Sequence, residues 1–242
     1  MPITDEKQLA AVIDHTLLEA TATTERIEQL CEEAKSYSFH TVCVNCRWLP
    51  LIAERLHNTK VKAGGVVSLP LGADTTKIKI AQAKDAVFAG ADEIDMVADL
   101  AAIIEGDAKY LQNQFQAVLK ICRSMRPAVV LKVIIESAAL NHDQKIFACQ
   151  VAQMCGVDFV KTSTGMYHGT GLQPVKTRPG WPCHGATIED IKLMKETAPN
   201  CRIKAAGGIK TAKQALEMLA AGAERIGTSS GVQIINELRA GQ

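Results

Sequence analysis

Three lysines in this chain stand in stretches of sequence that should be buried. Lys161 lies in Asp158-Phe159-Val160-Lys161-Thr162-Ser163-Thr164-Gly165, which reads as a short strand, apolar and β-branched, stopped by glycine. Lys132 interrupts Ala128-Val129-Val130-Leu131-Lys132-Val133-Ile134-Ile135-Glu136, and Lys204 interrupts Arg202-Ile203-Lys204-Ala205-Ala206-Gly207-Gly208. A fourth strand-like stretch, Asp92-Glu93-Ile94-Asp95-Met96-Val97, offers the carboxylate of Asp95 in a comparable place. On a pleat the side chains alternate, so Phe159, Lys161 and Ser163 share one face. An ammonium facing a protein interior must be paired or give up its proton.

If the four strands are neighbours, Asp95, Lys132, Lys161 and Lys204 share one poorly hydrated space. Desolvation and like charge both disfavour protonation and can lower a lysine pKa by up to roughly 3–5 pH units. A neutral amine can attack a carbonyl and form a Schiff base, whose iminium draws electrons from the neighbouring C–C bond. Asp95 could hold a remaining charge or relay a proton. The alternative is an ion-pair network of Asp95 and Glu136 with the lysines, but three lysines exceed those partners. The residues alone leave open which lysine is the nucleophile.

The elements needed to position these groups alternate strand and helix along all 242 residues. After a leading helix near Thr4–Val12, strands are expected at 14–18, 40–45, 62–68, 93–98, 128–136, 158–164, 202–207 and 224–228. Helices between them have apolar residues at helical spacing and cap candidates at Thr23 or Thr24 and at Asp74 or Thr75, and the one over Asn141–Cys155 is closed by Gly156. Eight such units, with no early glycine-rich dinucleotide loop, predict a single α/β domain over 1–242, a (β/α)8 TIM barrel. The segment from about Met166 to His184, rich in Gly, Pro, Trp and His, has no clear period and reads as an inserted loop after the sixth strand.

In such a barrel the site lies at the C-terminal ends of the strands, with phosphate often held beyond strands seven and eight. Those ends read Ala206-Gly207-Gly208 and Gly227-Thr228-Ser229-Ser230-Gly231. Glycine N–H groups and the start of a helix at Ser229 and Ser230 would suit an anion; turn glycines and a capping serine are the plainer account.

Composition narrows the classes. With 27 basic and 26 acidic side chains, nothing suggests nucleic acid or an anionic membrane as a partner. The apolar runs are too short to span a bilayer, and the N-terminus lacks the features of a signal peptide. Eight cysteines fall mostly inside predicted elements, as reduced thiols of a cytoplasmic protein do. Cys43-Val44-Asn45-Cys46 has no second pair to complete a zinc site, and the six histidines form no close pair, so no metal is expected.

Taken together, Ile13-Asp14-His15-Thr16-Leu17-Leu18, Val42-Cys43-Val44-Asn45, Leu69-Pro70-Leu71-Gly72, Glu93-Ile94-Asp95-Met96-Val97, Leu131 to Glu136, Val160 to Gly165 and Ile203 to Ile209 resemble the deoxyribose-phosphate aldolase family, in the same order along the chain. The resemblance implies a cofactor-free Schiff-base lyase. It would cleave 2-deoxyribose 5-phosphate reversibly to acetaldehyde and glyceraldehyde 3-phosphate in the cytoplasm, in deoxyribonucleotide catabolism. It also implies a homo-oligomer, dimer or larger, whose only other partners are sugar-phosphate and aldehyde substrates. By the match Lys161 forms the Schiff base, Lys204 favours its neutral amine, and Asp95 relays protons. Lys132 supports the network, Asp14 and Thr16 lie near the substrate hydroxyls, and Gly207, Gly208, Ser229 and Ser230 hold phosphate.

The chain departs from the family's pattern where Tyr167–His184 is inserted and where many members end in a tail with a tyrosine. The insertion is expected to fold over the site as a lid, with Tyr167 or His168 assisting proton transfer; a surface or subunit-contact loop is the plainer account. Lys176 and Arg178 in it could select a different phosphorylated sugar. A barrel that binds sugar phosphate without turnover is the non-enzymatic alternative.

Overall fold

A computed structural model of the chain describes residues 5–167 and 185–241. Eight parallel strands close into a barrel in sequence order: β1 Ile13–Leu17, β2 Thr41–Val44, β3 Lys62–Val67, β4 Glu93–Val97, β5 Val130–Ile134, β6 Phe159–Lys161, β7 Arg202–Ala206 and β8 Arg225–Thr228. The closing pair is β1 with β8, joined in register at Asp14 and Gly227. Around the barrel lie α1 Glu6–Ala10, α2 Thr24–Tyr37, α3 Leu49–Arg55, α4 Thr76–Phe88, α5 Leu100–Glu105, α6 Ala108–Arg123, α7 His142–Cys155, α8 Ile188–Thr197, α9 Ala212–Ala220 and α10 Gly231–Ala240.

The barrel follows from the strand pattern. Ile94, Met96, Leu131, Val133, Val160, Ile203 and Ala205 point outward and are fully buried under the helices. The helices answer with one apolar face each: α6 buries Leu111, Phe115, Val118 and Cys122, three or four residues apart, with Gln114 beside them. Their starts are set by side chains that satisfy the first free N–H groups, as at Thr75 and Asp99 and in the capping boxes of Asn141 with Gln144 and Thr211 with Gln214. Thr23 sits at the cap position of α2 but makes no capping hydrogen bond. Gly106 in the left-handed region ends α5, and Asp107 starts α6, which is the expected break in the long helix.

Two expectations need correction. The sixth strand ends at Lys161, well short of Thr164, because the Thr162 side chain takes over the pairing. Its Oγ1 donates to Ala206 O at 3.0 Å and accepts from Ala206 N at 3.1 Å. The fifth strand ends at Ile134, and Glu136 beyond it adopts the left-handed conformation at φ 50°. Of the inserted segment, Tyr167 is described and half-buried, whereas His168 to His184 lie outside the described residues.

Candidate active site

Barrel closure stacks the inward side chains in layers. On β4 and β5, Asp95 pairs in register with Lys132; on β6 and β7, Lys161 pairs with Lys204. The three lysines meet at one carboxylate. Lys161 and Lys204 each donate from Nζ to Asp95 Oδ2 at 2.7 Å, and Lys132 donates to Asp95 Oδ1 at 2.9 Å.

The ion-pair partners are not those read from the sequence. Among the described residues Glu136 makes no ion pair with the lysines and feels Lys161 only at longer range: its Oε2 accepts from Thr164 N at 3.1 Å and from Thr164 Oγ1 at 2.5 Å. The partners are Asp14, paired with Lys204, and Glu93, paired with Lys132. Arg225 joins from β8, donating to Asp14 Oδ1 at 2.8 Å and to Glu93 Oε2 at 3.1 Å. Sequence reasoning missed Glu93 and Arg225, and a parity signal was there to find the first. Glu93 stands two residues before Asp95 and so shares its face.

These partners reverse the expected proton balance at two of the lysines. Burial pushes Lys132 and Lys204 down, but the surrounding carboxylates outweigh it and hold both above the ordinary lysine value. Burial likewise raises Asp14 and Asp95, yet the neighbouring lysines hold both well below the usual carboxylate range. Lys132 and Lys204 are therefore held as ammoniums beneath the cleft.

Lys161 differs in access and in partners. It is 3 % exposed, against 0 % for the other two, and its one ion pair is to an oxygen it shares with Lys204. It alone of the three lines a cleft of about 380 Å³ at the C-terminal mouth, with Thr16, Thr164, Gly207, Gly208, Lys210 and Ser229 on the walls. Asp14 lies below this cleft rather than on it. Ser230 lines an adjoining groove with His15 and Glu33.

The glycines bring backbone close together at the mouth. Gly207 has φ +90°, and a Cβ there would meet Gly185 Cα at 2.9 Å; one on Gly185 would lie 2.0 Å from Gly207 O. Only glycine permits this approach, and Gly207 and Gly208 both line the cleft.

Other candidates resolve into structure. Asp14, His40 and Glu93 each offer a ligand atom within 4.8 Å of the others, but Arg225 and Lys132 already bond to the carboxylates. Cys43 is buried in the barrel and burial pushes its thiol up to about 11; Cys46 is also raised by burial, so neither is a ready thiolate. The seven described cysteines are all free. No helix among the described residues is long and apolar enough to cross a membrane.

Residues 8–237 match the model of the DeoC/LacD family aldolases. A protein of Aciduliprofundum boonei named deoxyribose-phosphate aldolase is 46% identical over 235 residues, covering 97% of this chain and 98% of its own. One of the same name from Caldicellulosiruptor saccharolyticus is 44% identical over 233 residues, covering 96% and 99%. Among solved structures, the tetrameric deoxyribose phosphate aldolase of Aeropyrum pernix superposes with a TM-score of 0.86 at 27% identity, covering 98% of this chain and 94% of that one.

Proposed function

The chain belongs to the DeoC/LacD aldolase family, and we propose that it cleaves 2-deoxy-D-ribose 5-phosphate reversibly to acetaldehyde and D-glyceraldehyde 3-phosphate through a Schiff base on Lys161. The observation that carries this reading is that Lys161, alone of three interior lysines, reaches the cleft. Its free amine adds to the aldehyde carbon, and loss of water gives the iminium. Removal of the proton from the 3-hydroxyl lets the C2–C3 bond break toward the iminium, releasing glyceraldehyde 3-phosphate from C3 to C5. The remaining two-carbon enamine takes a proton, and water releases acetaldehyde and the lysine.

Asp95, 2.7 Å from both Lys161 and Lys204, is placed to pass protons between them. Lys132 fixes the other oxygen of Asp95 and prevents its rotation. Thr16 on the cleft wall faces the sugar, with Asp14 supporting from beneath through Lys204. Gly207, Gly208 and Ser229 would take the phosphate, assisted by Lys210 on the same wall and by the start of α10 at Ser230. Tyr167 follows directly on this mouth and would begin the lid, with His168 next to it.

The same reading extends to assembly and place. The Aeropyrum pernix protein is tetrameric, and Leu71, Ile78, Phe88, Ile104 and Met154 are exposed apolar side chains suited to covering in a homo-oligomer. Free thiols suit the reducing cytoplasm.

Trapping with cyanoborohydride in the presence of acetaldehyde, followed by peptide mapping, tests the reading. A two-carbon adduct on Lys161 is expected. An adduct on Lys132 or Lys204 would overturn the assignment of the nucleophile. A folded protein that binds sugar phosphate but gives no adduct would overturn the catalytic reading.

A further inference from the structure

Below the lysines the barrel holds a residue that the reaction as derived does not use. Arg225 points inward from β8 and is 4% exposed. Its Nη1 donates to Asp14 Oδ1 at 2.8 Å and to Glu93 Oε2 and Oε1 at 3.1 and 3.3 Å. Its Nη2 lies 3.1 Å from His40 Nε2, and the guanidinium stands 5.2 Å from the centre of the Phe159 ring. It does not line the cleft. A guanidinium keeps its proton at any pH where a protein folds, so Arg225 is a fixed charge.

The charges of this ion-paired network can be counted among the described residues. Asp14, Glu93 and Asp95 are three carboxylates; Arg225, Lys132, Lys161 and Lys204 are four basic groups. The three carboxylates are all held ionised by their basic neighbours against the burial that would raise them. A permanently charged Arg225 uses one of them, which leaves two for three lysines. An uncompensated charge in a dry interior is strongly unfavourable, so the basic groups compete for these carboxylates. Lys132 lies within ion-pair distance of Glu93, Asp95 and Asp14, and Lys204 of Asp14 and Asp95. Among the described residues Lys161 has an ion pair with Asp95 alone, and shares it.

We propose that Arg225 is a positioning residue for imine formation: its permanent charge competes with the lysines for Asp14 and Glu93, which leaves Lys161 without an ion-paired carboxylate of its own. The inference rests on imine chemistry at Lys161. The titratable groups that face Lys161 are Asp95 from β4, Lys204 from β7 and Cys43 from β2, with Lys132 of β5 across Asp95 and Glu136 acting on Lys161 from beyond β5. Glu136 stands beyond β5, its carboxyl raised by burial and bonded to Thr164. None of these is altered in the test below.

The test is the pH dependence of acetaldehyde-imine trapping in Arg225→Gln, Glu93→Gln and the double variant. Arg225→Gln leaves three carboxylates for three lysines, so the acid limb should move up by at least about one pH unit, a tenfold loss at neutral pH regained in alkali. Glu93→Gln leaves two carboxylates for four basic groups, so the limb should move down. The double variant restores the single excess basic group and should return close to the wild type. Singles that fold but move together or not at all, a double that fails to return, or a loss of rate equal at every pH would each overturn the proposal. If Arg225→Gln does not fold, Glu93→Gln decides alone, and an unmoved limb overturns it. Wild-type protein that gives no Lys161 adduct sinks the functional reading instead, which keeps the two failures apart.

Discussion

Lys161 and Lys204 donate to the same oxygen, each with Nζ 2.7 Å from Asp95 Oδ2. Their nitrogens are thus no more than about 5.4 Å apart, and two full charges at that distance repel by about 3 kcal/mol at an effective dielectric of 20. Lys204 has Asp14 as a second carboxylate within ion-pair distance, and Lys161 does not.

The pair predicts different losses from removing each amine. Lys161→Met should abolish adduct formation and lower turnover by at least about three powers of ten, as loss of a nucleophile does. Lys204→Met should still form the adduct, but about 100-fold more slowly at neutral pH, with the loss shrinking as pH rises. Trapping rates across pH check both. A Lys204→Met protein that is slow by the same factor at every pH would contradict the shared-oxygen argument.

Gly207→Ala should damage phosphate recognition more than chemistry. The residue has φ +90°, and the new Cβ would meet Gly185 Cα at 2.9 Å and Ser163 Cβ at 3.3 Å, so the loop must move. The KM for deoxyribose 5-phosphate should rise at least about tenfold, while kcat/KM for unphosphorylated deoxyribose changes much less. Equal losses on both substrates would place the phosphate elsewhere.

Acid should weaken the fold in two stages. Burial lowers His15 against the opposing pull of Glu33, and burial together with Arg225 lowers His40. A depressed folded value means the unfolded chain takes up these protons first, so stability is lost as pH falls through about 6.5. Asp14, Glu93 and Asp95, also depressed, add a steeper loss below about 4, while Glu136, raised by burial, works the other way. Urea midpoints between pH 7 and 3 check this, and His15→Gln with His40→Gln should flatten the first stage. A first stage unchanged in that double variant would rule out the histidines.

Lys79 should leave a mark in alkali. It is fully buried on α4, where its Nζ donates to Val97 O at 2.8 Å and Gln114 Oε1 at 2.9 Å. Burial pushes it down to about 8, with Asp99 and Asp74 opposing. Between that value and the ordinary 10.5 the unfolded chain holds the proton more tightly, so this residue's contribution to stability grows with pH. Relative to Lys79→Met, the wild type should gain about 1 kcal/mol per pH unit from 8 to 10. The comparison cancels the buried cysteines, which titrate in the same range. Parallel curves for the two proteins would show that Lys79 is not the group responsible.

The sequence by itself determined the alternation of strands and helices, and hence the barrel. It also determined that Asp95, Lys132, Lys161 and Lys204 face inward, because a period of two fixes each side chain's face from its neighbours alone. Helix ends at Asn141, Gly106 and Gly156 were legible for the same local reason. What only the tertiary structure decided was which charges meet. Lys204 and Asp14 are 190 residues apart, and Arg225 and Asp14 are 211 apart; they touch because β8 closes on β1. No local pattern carries that distance, so the sequence overstated the excess of lysines and assigned Glu136 where Asp14 and Glu93 stand. The early end of β6 was hidden likewise, since the Thr162 hydroxyl needs Ala206 from another strand to bond to. Faces are set by neighbours along the chain, whereas the protonation of a buried amine is set by charges across the barrel.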